Sequence, residues 1–465
     1  MRATQASRER IASPSRSTST SASLERRSTI RIALAMLGIA LALRLASLFL
    51  LHSGDKIAGK DAWSWGYEAA CTARSVAAGD GWAGQWNRAQ MPWGLGSGAT
   101  GWLAPLYPAL IAGAMALFGG MTSAMATALF AIQCLLSAVT CLFVWGIGVE
   151  LGEPRVGRWA GFLFAFTPTA IWNASATVWD TTCVAFGIAA FLFLVLRYGR
   201  RPSNVAPSAL GAAFGALLLL NPAPVSMFPV AIAWLAAHRA SWSARWSAAA
   251  SFSAAAFLVC LPWLARNRHE VGAFSLRTNL GVEMNVGNND LAHGYPVMSF
   301  HPSTNAEEFQ RYREIGEVPY AAEAMRAAKA WILAHPLRFA ALTLHRVQLF
   351  WLGEPPPIDP REEPGVVAAH DPKSWIKWIA HLLAGITCLY GSWRFARERP
   401  EGKYLFAALM LFPAPYYLTH TMERYRFPIE PLIVLTASWL LVRWIDRWRA
   451  GRSRESAGRV SSARE

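Results

Sequence analysis

Four carboxylates stand among six tryptophans in one polar stretch of the chain, residues 52–108: HSGDKIAGKDAWSWGYEAACTARSVAAGDGWAGQWNRAQMPWGLGSGATGWLAPLYP. The acids are Asp55, Asp61, Glu68 and Asp80, and the tryptophans are Trp63, Trp65, Trp82, Trp86, Trp93 and Trp102. Tryptophan is apolar with a single N–H donor, which suits the headgroup layer of a membrane. Its flat face also suits a sugar ring. Carboxylates among such faces point to a site at a membrane surface. An aromatic belt that only anchors the loop has the same composition, and both readings stand at this point.

The elements that must position this stretch are apolar. The chain has 465 residues, of which 54% are hydrophobic and 16% charged, with a mean hydropathy of +0.24. A soluble domain carries about 25% charged residues, so the composition is that of a polytopic membrane protein. The net charge is +15 and the pI about 10.0. Much of that basic excess sits in the tails and in short loops between apolar runs, the pattern of cytoplasmic loops rather than of nucleic-acid binding. The cysteines Cys71, Cys134, Cys141, Cys183, Cys260 and Cys388 form no CxxC pair and no zinc-ligand spacing, and read as small packing residues.

Residues 1–29, rich in Ser, Thr and Arg, are expected to form a disordered basic cytoplasmic tail. The first span is expected at 30–51 and contains Arg44, which can snorkel outward or meet a lipid phosphate. Further apolar runs lie at 104–118, 123–149, 158–171, 181–196, 208–221, 223–238, 246–264, 337–352, 375–393, 404–419 and 428–445. At roughly 20 residues per crossing they predict an all-α membrane domain over 30–445 with about 10–12 transmembrane helices. Residues 446–465 form a second basic tail. If 104–118 and 337–352 do not cross, the basic clusters at Arg197–Arg201, Arg239–Arg245 and Arg394–Lys403 all become cytoplasmic. The polar segments 52–103, 172–180, 265–374 and 420–427 then share the outer face. No internal repeat and no heptad seam is visible.

Four segments, in chain order, carry a resemblance to a known family. They are GYEAACTARSVAAGDGW, then TGWLAPLYPALIAGAMALFG, then LPWLARNRHEVGAFSLRTNLGVEMNVGNND, and last ERYRFPIEPLIVL. Together they resemble bacterial family 39-type glycosyltransferases, the dolichyl-phosphate-mannose-protein mannosyltransferase-like members of the GT-C superfamily. The resemblance implies a GT-C-like helical core with catalytic loops on the extracytoplasmic face of the plasma membrane. It implies inverting transfer of a sugar from a polyprenyl-phosphate donor to an envelope glycan, a lipid or a protein. Some GT-C enzymes use a divalent cation and others do not; a DxD is missing from the first loop. One departure matters: the family usually carries an Asp before the tyrosine of GYE, so Asp61 rivals Glu68.

That reaction needs a carboxylate to take the acceptor proton, cations to neutralise the leaving phosphate, and a groove for the lipid. Glu68 and Asp61 are the candidate bases, with Asp180 of NASATVWDTT as a further carboxylate that could equally cap a helix. Arg266, Arg424 and Arg426 are candidates for the donor phosphate, as arginine presents a planar set of donors, and Arg44 is a weaker one. Paired arginines beside a span could also be headgroup anchors. Tyr67, Trp102, Tyr107, Asn279 and Asn288 are candidates for sugar or acceptor binding, the asparagines equally for turns. His269, His293 and His301 match no standard metal spacing. A transporter or flippase for lipid or solute is the rival class, and an assembly subunit without activity a third.

Overall fold

The computed structural model describes residues 16–57, 68–84, 98–200, 205–356 and 372–462. These residues form helices joined by loops, with one isolated antiparallel bridge between Ala83 and Ala99. First come α1 (Arg16–Leu50) and α2 (Ser53–Ile57), then α3 (Glu68–Ala78) and α4 (Leu106–Phe118). The next group is α5 (Ser123–Glu150), α6 (Pro154–Phe166), α7 (Pro168–Ala176) and α8 (Thr181–Tyr198). After α9 (Val205–Leu220), α10 (Phe228–Ala237) and α11 (Trp242–Glu270), the long polar segment folds into α12 (Leu280–Gly287), α13 (Ala306–Ile315), α14 (Glu317–Ala334) and α15 (Pro336–Leu352). Last are α16 (Pro372–Glu398), α17 (Gly402–Leu411), α18 (Ala414–Leu418) and α19 (Glu430–Ser462).

Five helical stretches are long and apolar enough to cross a membrane: Arg26–Leu50, Ser123–Glu150, Thr181–Tyr198, Trp242–Glu270 and Glu423–Arg452. This is an all-α polytopic membrane protein. The other expected runs are helical too, and some are broken where proline removes an N–H donor. The run 158–171 splits between α6 and α7 at Thr167–Pro168, and 404–419 splits between α17 and α18 near Pro413. Helix also extends into both tails. α1 already begins at Arg16 and α19 continues to Ser462, because a helix nucleated in an apolar span propagates cheaply into Ser-, Ala- and Arg-rich sequence.

The break between α6 and α7 explains Arg44. This side chain neither snorkels nor reaches a headgroup; it is fully buried. Its guanidinium donates to the carbonyls of Ala165 (3.1 Å) and Phe164 (3.3 Å), which close α6, to Ala40 O (3.0 Å) and to Ser137 Oγ (2.8 Å). Pro168 cannot donate to Phe164 O, which accepts the Thr167 N–H (3.2 Å), and an arginine from α1 adds a second donor there.

The bundle has two distinct ends. At one end the basic loops are tied to acids: Arg155 to Asp446 (2.7 Å), Arg197 to Glu150 (3.2 Å), Arg200 to Glu401 (3.1 Å), and Glu153 to Arg443 (2.7 Å) and Arg399 (3.5 Å). The other end gathers the four polar segments. α4 starts there, with Tyr107 donating to Gln133 Oε1 of α5 (3.3 Å), and returns through Gly119 and Gly120 to the start of α5. α15 stays there too, with Arg338 donating to Asp290 O (2.7 Å) and Trp351 O accepting from Arg426 (3.3 Å). α12 lies against α14 so closely that a Cβ on Gly281 would come 1.9 Å from Ala321 O.

Candidate functional site

Trp102 is where the polar segments meet. It is fully buried, and its ring packs edge-on against Tyr312 of α13 (6.3 Å, 85°) and His301 (5.8 Å, 84°). Its indole N–H donates to Glu68 Oε1 (2.9 Å) at the first residue of α3, and its carbonyl accepts from Arg277 Nε (3.0 Å). One residue therefore holds both a carboxylate and a cation. Its neighbour Gly101 is pressed against α11 and Thr278, where a Cβ would come 3.0 Å from Thr278 Cγ2 and 3.2 Å from Asn267 Nδ2.

Glu68 and Arg277 both line a cavity of ≈ 800 Å³ at this end of the bundle. Asp180, Glu283, Arg424 and His420 share its wall, and Leu103, Leu220, Val225, Leu280 and Met325 make part of it apolar. Asp180 stands just before α8 in a helical backbone conformation (φ −65°, ψ −14°), and its side chain makes no cap bond. The expected N-cap is thus corrected: the carboxylate turns to the cavity and accepts from Asn221 Nδ2 (2.7 Å). Burial raises its pKa above the usual carboxylate value, against the Asn221 hydrogen bond and the fields of Arg277 and Arg424, which lower it.

Arg424 is fixed by aromatic faces. Its guanidinium carbon lies 3.9 Å from the Trp179 ring centroid and 5.4 Å from that of Tyr425, which stacks on Tyr416 (4.4 Å, 18°). His420 Nε2 lies 3.1 Å from Tyr425 Oη and 3.5 Å from Glu283 Oε2. Asn279 Nδ2 donates to Glu283 Oε1 (2.6 Å). Burial lowers the His420 imidazole pKa below its usual value, and Glu283 partly offsets this.

Of the residues singled out from the sequence, Glu68, Asp180, Arg424, Tyr107 and Asn279 line this cavity. Trp102 supports it from behind. Asp61 and Tyr67 lie outside the described residues. Three arginines stand elsewhere. Arg266 donates to the carbonyls of Thr100 (2.5 Å) and Trp82 (2.8 Å) and so pins the first loop to α11. Arg426 is buried, donates to His381 O (2.9 Å) and Trp351 O (3.3 Å), and lies 3.8 Å from Glu430. Arg44 is bound inside the bundle as described. Asn288 is also structural: its amide donates to Met284 O (2.8 Å) and Leu418 O (3.0 Å), and its Oδ1 accepts from Arg346 (3.1 Å). Sequence reasoning missed Arg277, Asn221, Glu283, His420 and Tyr425. The signal for Arg277 was its place in SLRTNLG, two positions before Asn279 in a segment already picked out.

Such a cavity can hold an anion between two guanidinium groups, a hydrocarbon chain along its apolar wall, and a hydroxyl against a carboxylate. Among the described residues no group of three or more His, Cys, Asp and Glu side chains could hold a metal ion.

The Archaeoglobus fulgidus oligosaccharyltransferase in its apo form is similar in fold, with a TM-score of 0.51 and 17% identity over 91% of this chain and 52% of that chain. The same enzyme tethered by a disulfide bond to an acceptor peptide containing the NVT sequon gives a TM-score of 0.50 and 14% identity, over 91% and 51%. The fold is of the GT-C type. The chain spans about half the length of the oligosaccharyltransferase chains it matches. No family model and no curated protein matches the sequence.

Proposed function

We propose that this protein is a GT-C glycosyltransferase that moves a sugar from a polyprenyl-phosphate carrier to an acceptor on the extracytoplasmic side of the membrane. The observation that carries the reading is the pairing, in one partly apolar cavity, of the cations Arg277 and Arg424 with the carboxylates Glu68 and Asp180. Arg277 and Arg424 bind the carrier phosphate and stabilise it as the leaving group. They replace Arg266 and Arg426 in that role, whose donors are taken by backbone carbonyls.

In an in-line displacement the base stands opposite the leaving group. Asp180 lies within the field of both arginines and so belongs to the phosphate side. Glu68, oriented by the Trp102 indole, is the base that takes the acceptor proton as the acceptor oxygen attacks the anomeric carbon. The sugar then changes carrier with inversion and leaves polyprenyl phosphate. Asp61 is the alternative base. Tyr107 and Asn279 contact the sugar or the acceptor, and the apolar wall holds the first units of the lipid. The fold shared with an enzyme that acts on an acceptor peptide makes a protein acceptor one of three to test, beside a lipid and an envelope glycan.

The purified protein in membranes, given labelled polyprenyl-phosphate sugars, should bind a donor and transfer or hydrolyse it. Glu68→Gln should keep donor binding and lose turnover, whereas Arg277→Ala and Arg424→Ala should weaken donor binding. Loss of turnover in Asp61→Asn with Glu68→Gln active would move the base to Asp61. Absence of binding to every polyprenyl-phosphate donor would overturn the reading.

A further inference from the structure

Glu317, the first residue of α14, is buried and does not line the cavity. Its carboxylate is nevertheless bonded to three separate segments. Oε2 accepts from Thr100 Oγ1 (2.6 Å) and Tyr312 Oη (3.0 Å), and Oε1 accepts from Gly101 N (2.8 Å) and Thr278 Oγ1 (2.5 Å). A helix start suits a negative charge, but four donors from elsewhere far exceed what that position needs.

Both routes away from Glu317 lead to Trp102. The Thr100 hydroxyl that donates to Glu317 also accepts the Trp102 backbone N–H (3.0 Å). Thr278 donates its backbone N–H to Gly101 O (3.0 Å), and the residue before it, Arg277, donates to Trp102 O (3.0 Å). We propose that Glu317 is a positioning residue: through Thr100 and Thr278 it fixes Trp102, and through Trp102 it sets Glu68 and Arg277 relative to each other. Each hydroxyl has its donor role fixed by the carboxylate, so the relay has one direction. The inference rests on the reading of Glu68 as base and Arg277 as phosphate ligand.

The test uses the full chain in membranes, with the most active polyprenyl-phosphate sugar found for the wild type. Glu317→Gln, Thr100→Val, Trp102→Phe and the double variant Thr100→Val with Trp102→Phe are compared by donor-binding stoichiometry and by turnover per bound donor. Misplacing a reacting group by about 1 Å costs on the order of 10²-fold in rate. Glu317→Gln and Thr100→Val should keep the stoichiometry and lose about that factor in turnover per bound donor. The double variant should lose less than the product of the two single losses, since Thr100 acts on Glu68 through the indole that Trp102→Phe removes, while its hold on Arg277 through the Trp102 backbone persists in that variant. Turnover that falls only in proportion to lost binding sites would mean that Glu317 merely holds the fold together, and independent effects of Thr100→Val and Trp102→Phe would break the relay; either overturns the proposal. Should Glu317→Gln fail to fold, Thr100→Val, which removes one hydroxyl at nearly constant volume, decides the matter. A wild type that binds no donor would instead overturn the functional reading, and this inference with it.

Discussion

An indole and an imidazole set the surroundings of Glu68. Trp102 donates to the carboxylate, and His301 stands edge-on behind the indole. His301 Nδ1 accepts the Ser303 N–H (3.1 Å), so the neutral ring is part of the packing. Burial lowers its pKa from 6.5 to about 4, with Glu283 raising it and His420 lowering it further. Between those values the unfolded chain binds more protons than the folded one. His301 therefore contributes stability that is fully present above pH 6.5 and lost as the pH falls toward 4. The span corresponds to on the order of 3 kcal/mol. His301→Gln should narrow the gap between the thermal midpoints measured in detergent at about pH 7.5 and about pH 4.5. An equal gap in wild type and variant would mean that the imidazole is not held neutral in the fold.

At the scale of elements, the buried arginines share one task, which is to close helix ends. Arg44 serves the end of α6, and Arg239 the end of α8 through Gly199 O (2.7 Å). Arg346 bonds Gly287 O at the end of α12 and Leu418 O (3.3 Å) at the end of α18, and Arg426 bonds Trp351 O at the end of α15. The carbonyl end of a helix is negative and short of donors, and a guanidinium supplies up to five. Arg44 and Arg426 are two of these, and Arg266 spends its donors on the loop carbonyls of Thr100 and Trp82, so residue type alone did not separate the three from phosphate ligands. An arginine that binds phosphate and one that binds carbonyls look alike until the chain breaks nearby are known, and Pro168 gave the only hint for Arg44. Arg44→Leu should lower stability by roughly 2–5 kcal/mol, because in a buried site Ala165 O loses its arginine donor and Phe164 O keeps only the Thr167 N–H. Arg44→Lys should recover only part of this, since a single ammonium cannot span both carbonyls and Ser137. Thermal midpoints in detergent measure both, and an unchanged midpoint in Arg44→Leu would remove the capping role.

At the scale of the whole molecule, the arrangement of segments was legible where its chemistry was not. Charge bias, with 104–118 and 337–352 taken not to cross, grouped 52–103, 172–180, 265–374 and 420–427 on one face, and each lends a residue to the cavity wall: Glu68, Asp180, Arg277 and Arg424. Which side chains point inward depends on hydrogen bonds between segments far apart in sequence, such as Trp102 to Arg277, and no local pattern encodes those. The same bias makes a claim about orientation. The end tied together by Arg155, Arg197, Arg200, Arg399 and Arg443 carries the basic loops, and loops rich in Lys and Arg stay in the cytoplasm. On that rule the cavity opens to the opposite side, the side on which the proposed transfer takes place. All six native cysteines are buried, so an introduced thiol can be read without background from exposed ones. Glu314 on α13 is exposed at the cavity end, and Ser243 near the start of α11 is exposed at the basic end. A membrane-impermeant maleimide added to intact cells should label Glu314→Cys and leave Ser243→Cys untouched until the membrane is opened. The reverse pattern would turn the cavity to the cytoplasm and rule out chemistry on the outer face. Labelling of both in intact cells would mean that the two ends of the bundle do not lie on opposite sides of the membrane.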